Sequence, residues 1–215
     1  MRGIRAATTR LGRPMHRMLR GQKVALFFQF MGDSAKSRLL DLGGGTGVDF
    51  EFGPLYKAFR EVVVANLTPP PPDLLALPNV THERADGCCL PYESKAFDWV
   101  FSNAVIEHVG SEERQRQFAN EIRRVARYGY FVTTPNKRFP IEPHTLLPFY
   151  QYLSESWQRR VVRFSPYYLR RYEEIRMLTA RQLGEFFPEA KIVSLGFPVV
   201  GTSLVAIYRE GMSSA

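Results

Sequence analysis

Asp41, Gly43, Gly44, Gly45 and Gly47 have the types and spacing of a nucleotide-binding turn. In RLLDLGGGTG, residues 38–47, Leu39 and Leu40 read as the end of a buried strand and Asp41 closes it. The glycines then make a tight turn, and Val48 onward begins a helix. Glycine admits positive φ and leaves no Cβ between main chain and ligand. A strand, a glycine turn and a helix at the first crossover of an α/β sheet form a nucleotide-type site. The pattern is Asp-x-Gly-x-Gly-x-Gly. It is neither the Gly-x-Gly-x-x-Gly of dinucleotide enzymes nor a phosphate-cradling P-loop, since no Lys-Ser or Lys-Thr follows. A second chemistry is offered by His108, which follows Glu107, and by His144, two residues after Glu142. Imidazole exchanges a proton near neutrality, so either histidine suits a general base. The plainer role for each pair is to brace its loop.

These residues need an α/β scaffold, and the chain supplies one. Residues 61–66, EVVVAN, read as a strand rich in β-branched residues. The strand ends in Asn66, about where such sites place an acid for a ribose diol, roughly 20 residues after the glycines. Asn66 can still bond a hydroxyl, but without charge and through one acceptor oxygen. Residues 80–85 read as a third strand, followed by Asp86, Gly87 and Cys88, and residues 97–102 as a fourth. Open α/β sheets bind ligands outside the carboxyl ends of their strands, which puts Asn103 against cofactor or acceptor. Ser111 caps the next helix, with Glu112 and Glu113 in its first turn and Arg123, Arg124 and Arg127 in its last, an order that complements the helix dipole. Residues 128–134 read as a fifth strand. Thr46 to Phe59 reads as a helix bent or restarted at Gly53-Pro54.

The glycine turn resembles motif I of the class I S-adenosylmethionine (SAM) dependent methyltransferases. The succession LP-x(5)-FD-x-V…EH, from Leu90 to His108, resembles the methyltransferase subgroup that includes ubiquinone and menaquinone methylases. The resemblance implies SAM as cofactor, held by Asp41, Gly43, Gly44, Gly45, Gly47, Asn66, Leu67, Asp86, Gly87, Cys88, Asn103 and Ala104. Leu67 would meet the adenine as an apolar contact. Asp86 would accept its amino group, and the backbone at Cys88 would meet the ring. The family usually carries Asp or Glu where Asn66 stands. The resemblance also implies a Rossmann-like, seven-stranded, mostly parallel sheet with helices on both faces, ended by an antiparallel hairpin formed here by residues 191–195 and 203–208.

Residues 135–179 depart from strand–helix alternation and are crowded with aromatics. An insertion of this length is a functional segment, read here as a helical lid over the acceptor pocket. Asn136, Glu142 and His144 are its polar candidates, and prolines 135, 140, 143 and 148 would hold them rigidly. His108, His144 and Glu142 are therefore the catalytic candidates. A metal on Glu142, His144 and His108 is disfavoured by the i, i+2 spacing and the lack of a clear third ligand, so no metal is expected.

The chain has 215 residues, 45% hydrophobic and 23% charged, enough for one domain with a sizeable core. Its two cysteines, Cys88 and Cys89, are adjacent, which excludes a disulfide framework and a Cys-x-x-Cys zinc site and fits a reducing cytoplasm. Of the net charge of +8, residues 1–37 contribute +7, eight bases against Asp33. The charge marks off a basic N-terminal arm and helix, 1–37, and the resemblance implies a methyltransferase domain over 38–215. The arm could reach an anionic membrane, a helix from Met15 to Met31 could cover the cofactor cleft, and core packing is the simpler role for that helix. A nearly neutral remainder argues against nucleic acid as partner. The expected activity is methyl transfer from SAM to a small or medium-sized, apolar, ring-bearing or lipid-linked acceptor, with O-, N- and C-methylation all open. A nicotinamide oxidoreductase is disfavoured by the glycine spacing. A non-catalytic SAM-binding or partner-binding domain is the alternative.

Overall fold

The computed structural model describes residues 21–31, 37–44, 53–69, 72–167, 169–197 and 200–211. Seven strands form one sheet in the order β3-β2-β1-β4-β5-β7-β6: β1 Arg38–Leu42, β2 Glu61–Ala65, β3 Val80–Glu83, β4 Phe97–Asn103, β5 Ala126–Pro135, β6 Lys191–Gly196 and β7 Gly201–Arg209. The first five run parallel, and β7 is antiparallel to both β5 and β6. This is the doubly wound sheet with a terminal hairpin expected from the sequence. The strand order reverses at β1 and β4, which opens a crevice between their carboxyl ends.

Side chains alternate across the sheet, so each strand feeds two cores. On one face Leu40, Leu42, Val63 and Val100 meet Phe118, Ile122 and Val125 of α4, Glu112–Val125, and Leu183 and Phe186 of α6, Ala180–Phe186. On the other, Leu39, Val62, Val64, Phe101 and Phe131 meet Phe27 and Met31 of a helix (α1) that covers residues 21–31. Leu55 and Tyr56 of α2, Gly53–Lys57, and Leu74 of α3, Pro72–Leu75, join them. Phe27 and Met31 of α1 are thus part of the core, with Leu26, Phe28 and Phe30 packed partly buried against it.

The helix starts follow their caps. Ser111 accepts from Arg114 N at the head of α4, and Thr179 forms a reciprocal capping box with Gln182 at α6. Three expectations are corrected. Ala126 turns extended (ψ 132°) directly after α4, so β5 begins there and Arg127 lies in the strand, paired with Asp98, not in the last turn of the helix. Of the helix expected over 46–59, residues 53–57 are helical and 58–60 form a turn, while 45–52 lie outside the described residues. The insertion after β5 is mostly irregular. It holds one short helix, α5 Glu155–Val161, and single 3-10 turns at Tyr150–Tyr152 and Val162–Phe164, because prolines 140, 143 and 148 interrupt any longer helix. Its ends leave and return side by side: Lys137 N donates to Leu178 O at 3.0 Å, and Asn136 bridges to Leu178.

Candidate active site

The glycine turn is shaped by two close approaches. Gly43 has φ +79°, and a Cβ there would fall 2.5 Å from a Val105 methyl. A Cβ on Gly44 would fall within the Asp41 carboxylate, 1.9 Å from Oδ2. Only glycine is tolerated at both. Asp41 lies 2% exposed beneath the turn and accepts a hydrogen bond from the Tyr56 hydroxyl. Burial pushes its pKa up to about 7, the Tyr56 bond offsetting part of the rise. Asp41 therefore braces the turn from below. Gly45 and Gly47 lie outside the described residues.

At the end of β2, Asn66 Nδ2 donates to Gly44 O at 2.8 Å, and Gly43 N donates to Ala65 O at 2.8 Å. The amide of Asn66 thus pins the glycine turn, a task a carboxylate has no proton for. Leu67 beside it is exposed. Asp86 accepts from Cys88 N at 3.0 Å and from Arg114 Nη2 at 2.9 Å. The Cys88 bond, followed by that of Arg114, holds the Asp86 carboxyl below the usual carboxylate range. The Cys88 N–H is thereby used within the turn. Its thiol is buried against the Arg114 carbonyl, and burial raises its pKa to about 11. Gly87 lies against the Phe118 ring, where a Cβ would come within 2.5 Å. Asn103, at the end of β4, accepts from Thr133 Oγ1 at 2.7 Å and from Lys23 Nζ at 3.0 Å. Ala104 follows at φ +54°, a left-handed conformation that turns the chain out of the sheet.

Two residues past Val105 the chain enters a second cluster. Glu107 is fully buried; its Oε2 accepts from Thr134 Oγ1 at 3.0 Å. His108 places Nε2 4.0 Å from Glu107 Oε1 and Nδ1 3.0 Å from Glu173 Oε1. Its ring meets that of His144 edge to face, centroids 5.0 Å apart. His144 Nδ1 pairs with Glu142 Oε1. Glu142, 1% exposed, also accepts from His144 N at 3.0 Å, Thr145 N at 2.8 Å and Thr145 Oγ1 at 2.7 Å. Burial opposes ionisation of this acid, but these donors outweigh it and hold its pKa below the ordinary value. For His144, burial works against the charged ring, yet the bond and charge of Glu142, aided by Glu107 and Glu173, keep its pKa raised.

The structure thus joins both histidine candidates at one place, over the carboxyl ends of β4 and β5. It also adds residues that sequence spacing did not single out. Lys23 reaches in from α1, and Glu173 returns from the far end of the insertion because Arg176 N donates to Glu107 O at 2.9 Å. Gln115 stitches the same two segments, donating to Ile106 O and Arg176 O. No local pattern marks these contacts, which span between 61 and 80 residues for Gln115–Arg176 and Lys23–Asn103.

Residues 40–133 match the family model described as a methyltransferase domain. No curated protein matches the chain. Among solved structures, a SAM-dependent methyltransferase from Aquifex aeolicus is similar at 15% identity and TM-score 0.53, over 86% of this chain and 87% of that one. The 1,6-didemethyltoxoflavin-N1-methyltransferase of Burkholderia thailandensis, bound to 1,6-didemethyltoxoflavin and S-adenosylhomocysteine, is similar at 16% and 0.58, over 89% and 77%. A chain of the complex between the Haloferax volcanii Trm112 methyltransferase activator and a methyltransferase is similar at 12% and 0.60, over 98% and 96%.

Proposed function

We propose that the chain, whose residues 40–133 match the methyltransferase-domain model, is a class I SAM-dependent methyltransferase that takes SAM as its cofactor and methylates an oxygen of a small or medium-sized, ring-bearing or lipid-linked acceptor held between the glycine turn and the lid. The observation that carries this reading is the contact of Gly43 with Val105. It sets the cofactor turn two residues from Glu107, and hence beside the His108–His144 pair. The sulfonium of SAM already activates the methyl, so the protein mainly supplies alignment and a pocket. A hydroxyl acceptor must also lose a proton, and a histidine pair backed by carboxylates suits that task better than amine methylation requires.

In this reading Gly43, Gly44, Asn66 and Asp86 form the cofactor side, Asp86 facing the adenine amino group and exposed Leu67 its ring. Gly45 and Gly47, outside the described residues, are assigned to the same side by the sequence resemblance alone. Glu142 orients His144 through Nδ1, as a carboxylate orients the histidine of a hydrolase triad. The acceptor oxygen attacks the methyl carbon, the carbon–sulfur bond breaks with its pair to sulfur, and the proton passes to the histidine pair. The exposed aromatics of the lid, Phe149, Tyr152, Trp157 and Phe164, with Arg160 over Trp157 and Arg163 over Phe164, support an apolar or lipid-linked acceptor.

Methyl-labelled SAM added to extracts of the source cell, divided into lipid, small-molecule, protein and nucleic-acid fractions, tests this. Label in the first two fractions, stable to base as an ether, is expected. Label confined to protein or nucleic acid would overturn the acceptor reading.

A further inference from the structure

We propose that Glu107, His108 and His144 bind one divalent transition-metal ion of the zinc, manganese or iron(II) type. Glu107, His108 and His144 each bring a ligand atom within 4.8 Å of the other two. Donors around a four-coordinate ion at about 2.0–2.2 Å stand about 3.4 Å apart. The 4.0 Å gap between His108 Nε2 and Glu107 Oε1 is too long for a hydrogen bond and closes onto an ion with a small inward shift.

Glu107 supplies the second observation. Its side chain is fully buried, yet Oε1 has no hydrogen-bond partner among the described residues. A buried carboxylate oxygen left unmatched is costly, and this one faces His108. The two histidines supply the third. Each gives Nδ1 to a carboxylate, His108 to Glu173 and His144 to Glu142. That is the arrangement by which metal-ligating histidines are oriented, with Nε2 turned to the ion. Two imidazoles and one carboxylate form a donor set for zinc, iron or manganese, whereas calcium and magnesium take oxygen donors. A dication would also offset the carboxylates Glu107, Glu142 and Glu173 gathered around two histidines.

The sequence spacing argues against a metal on Glu142, His144 and His108. The fold instead makes Glu142 the support of His144 and brings Glu107 in as the ligand. Three protein ligands leave coordination positions open. At the carboxyl ends of β4 and β5 an open position would take an acceptor oxygen and lower its pKa, so that with the ion bound the proton would leave to solvent and the two histidines would serve as ligands in place of the base. This consequence rests on the oxygen-methylation reading above; the binding of the ion does not.

The test uses the full chain stripped with a chelator and titrated with Co²⁺, then with Zn²⁺ measured by elemental analysis. One ion per chain is expected, with a visible Co²⁺ spectrum lacking a thiolate charge-transfer band. His108→Ala, at an exposed position, should weaken binding at least tenfold. Glu107→Gln should weaken it while retaining the bond with Thr134, and Glu142→Gln should weaken it by about 10–100-fold. SAM affinity should be unchanged in all three. Failure to hold an ion, wild-type affinity in His108→Ala, or a thiolate band that places the ion on Cys88 or Cys89 would overturn the proposal. Full methyl transfer by the stripped chain would overturn its catalytic consequence and leave the acceptor reading standing. Stoichiometric ion binding without label in any lipid or small-molecule fraction would do the reverse.

Discussion

Lys23 Nζ donates to Asn103 Oδ1 at 3.0 Å, tying α1 to the carboxyl end of β4 across 80 residues of chain. The same ammonium lies 3.4 Å from Thr133 Oγ1, and Lys23 is 8% exposed. A charge held this deep is stabilising only while its partners stay in place. Lys23→Met keeps the aliphatic stem and removes the donor, so it should lower stability by about 1–3 kcal/mol. Urea denaturation measures this. An unchanged midpoint would show that the contact does not hold α1 to the sheet.

Phe27 makes the apolar half of the same attachment. Its ring lies 5.4 Å from Phe101 and 5.3 Å from Phe131, both edge to face, and 6.2 Å from Phe59. Phe27→Ala should destabilise by about 3–5 kcal/mol, the range for emptying an aromatic site in a core. If the loss is under about 1 kcal/mol, α1 is not part of the cooperative unit.

Asp41 gives a pH dependence whose sign is opposite to that of a paired carboxylate. Its pKa in the fold is about 7 against an ordinary value of 3.8, burial being the main cause. The native state therefore keeps a proton that the unfolded chain gives up near pH 4. Stability from this group is full below pH 4 and is lost as pH rises towards 7, by about 1.4 kcal/mol for each pH unit between the two values. Between pH 5 and pH 7 the wild type should lose stability that Asp41→Asn does not. Denaturation curves for both at the two pH values decide it, and parallel behaviour would remove the account.

Asp86 organises the turn after β3 through Cys88 N and Arg114. Its pair with Arg114 is about half exposed, so the ion pair contributes under about 1 kcal/mol. On the proposed contact with the adenine amino group, Asp86→Ala should weaken SAM binding by about tenfold for one charge-assisted hydrogen bond, while costing stability only about 1 kcal/mol through the lost turn bond. Calorimetric titration with SAM, beside a thermal melt, separates the two effects. Wild-type SAM affinity would take Asp86 out of the cofactor site.

The turns and periodicities of this chain were decided locally. Asp-x-Gly-x-Gly-x-Gly, the β-branched run at 62–64 and the caps at Ser111 and Thr179 each act over a few residues, where φ preference and one hydrogen bond are decisive. They account for the sheet and its strand succession. The irregular course of the insertion after β5 is not marked in the sequence, since aromatic content does not distinguish a helix from a proline-punctuated loop. The work of Asn66 on Gly44, of Tyr56 on Asp41, and the exchange of Glu142 for Glu107 beside the histidines were decided only by tertiary structure. In each, the partners come from separate elements. Which carboxylate is spent on backbone amides and which keeps an oxygen unmatched depends on how residues 136–178 return to the ends of β4 and β5, and no spacing in the sequence records that.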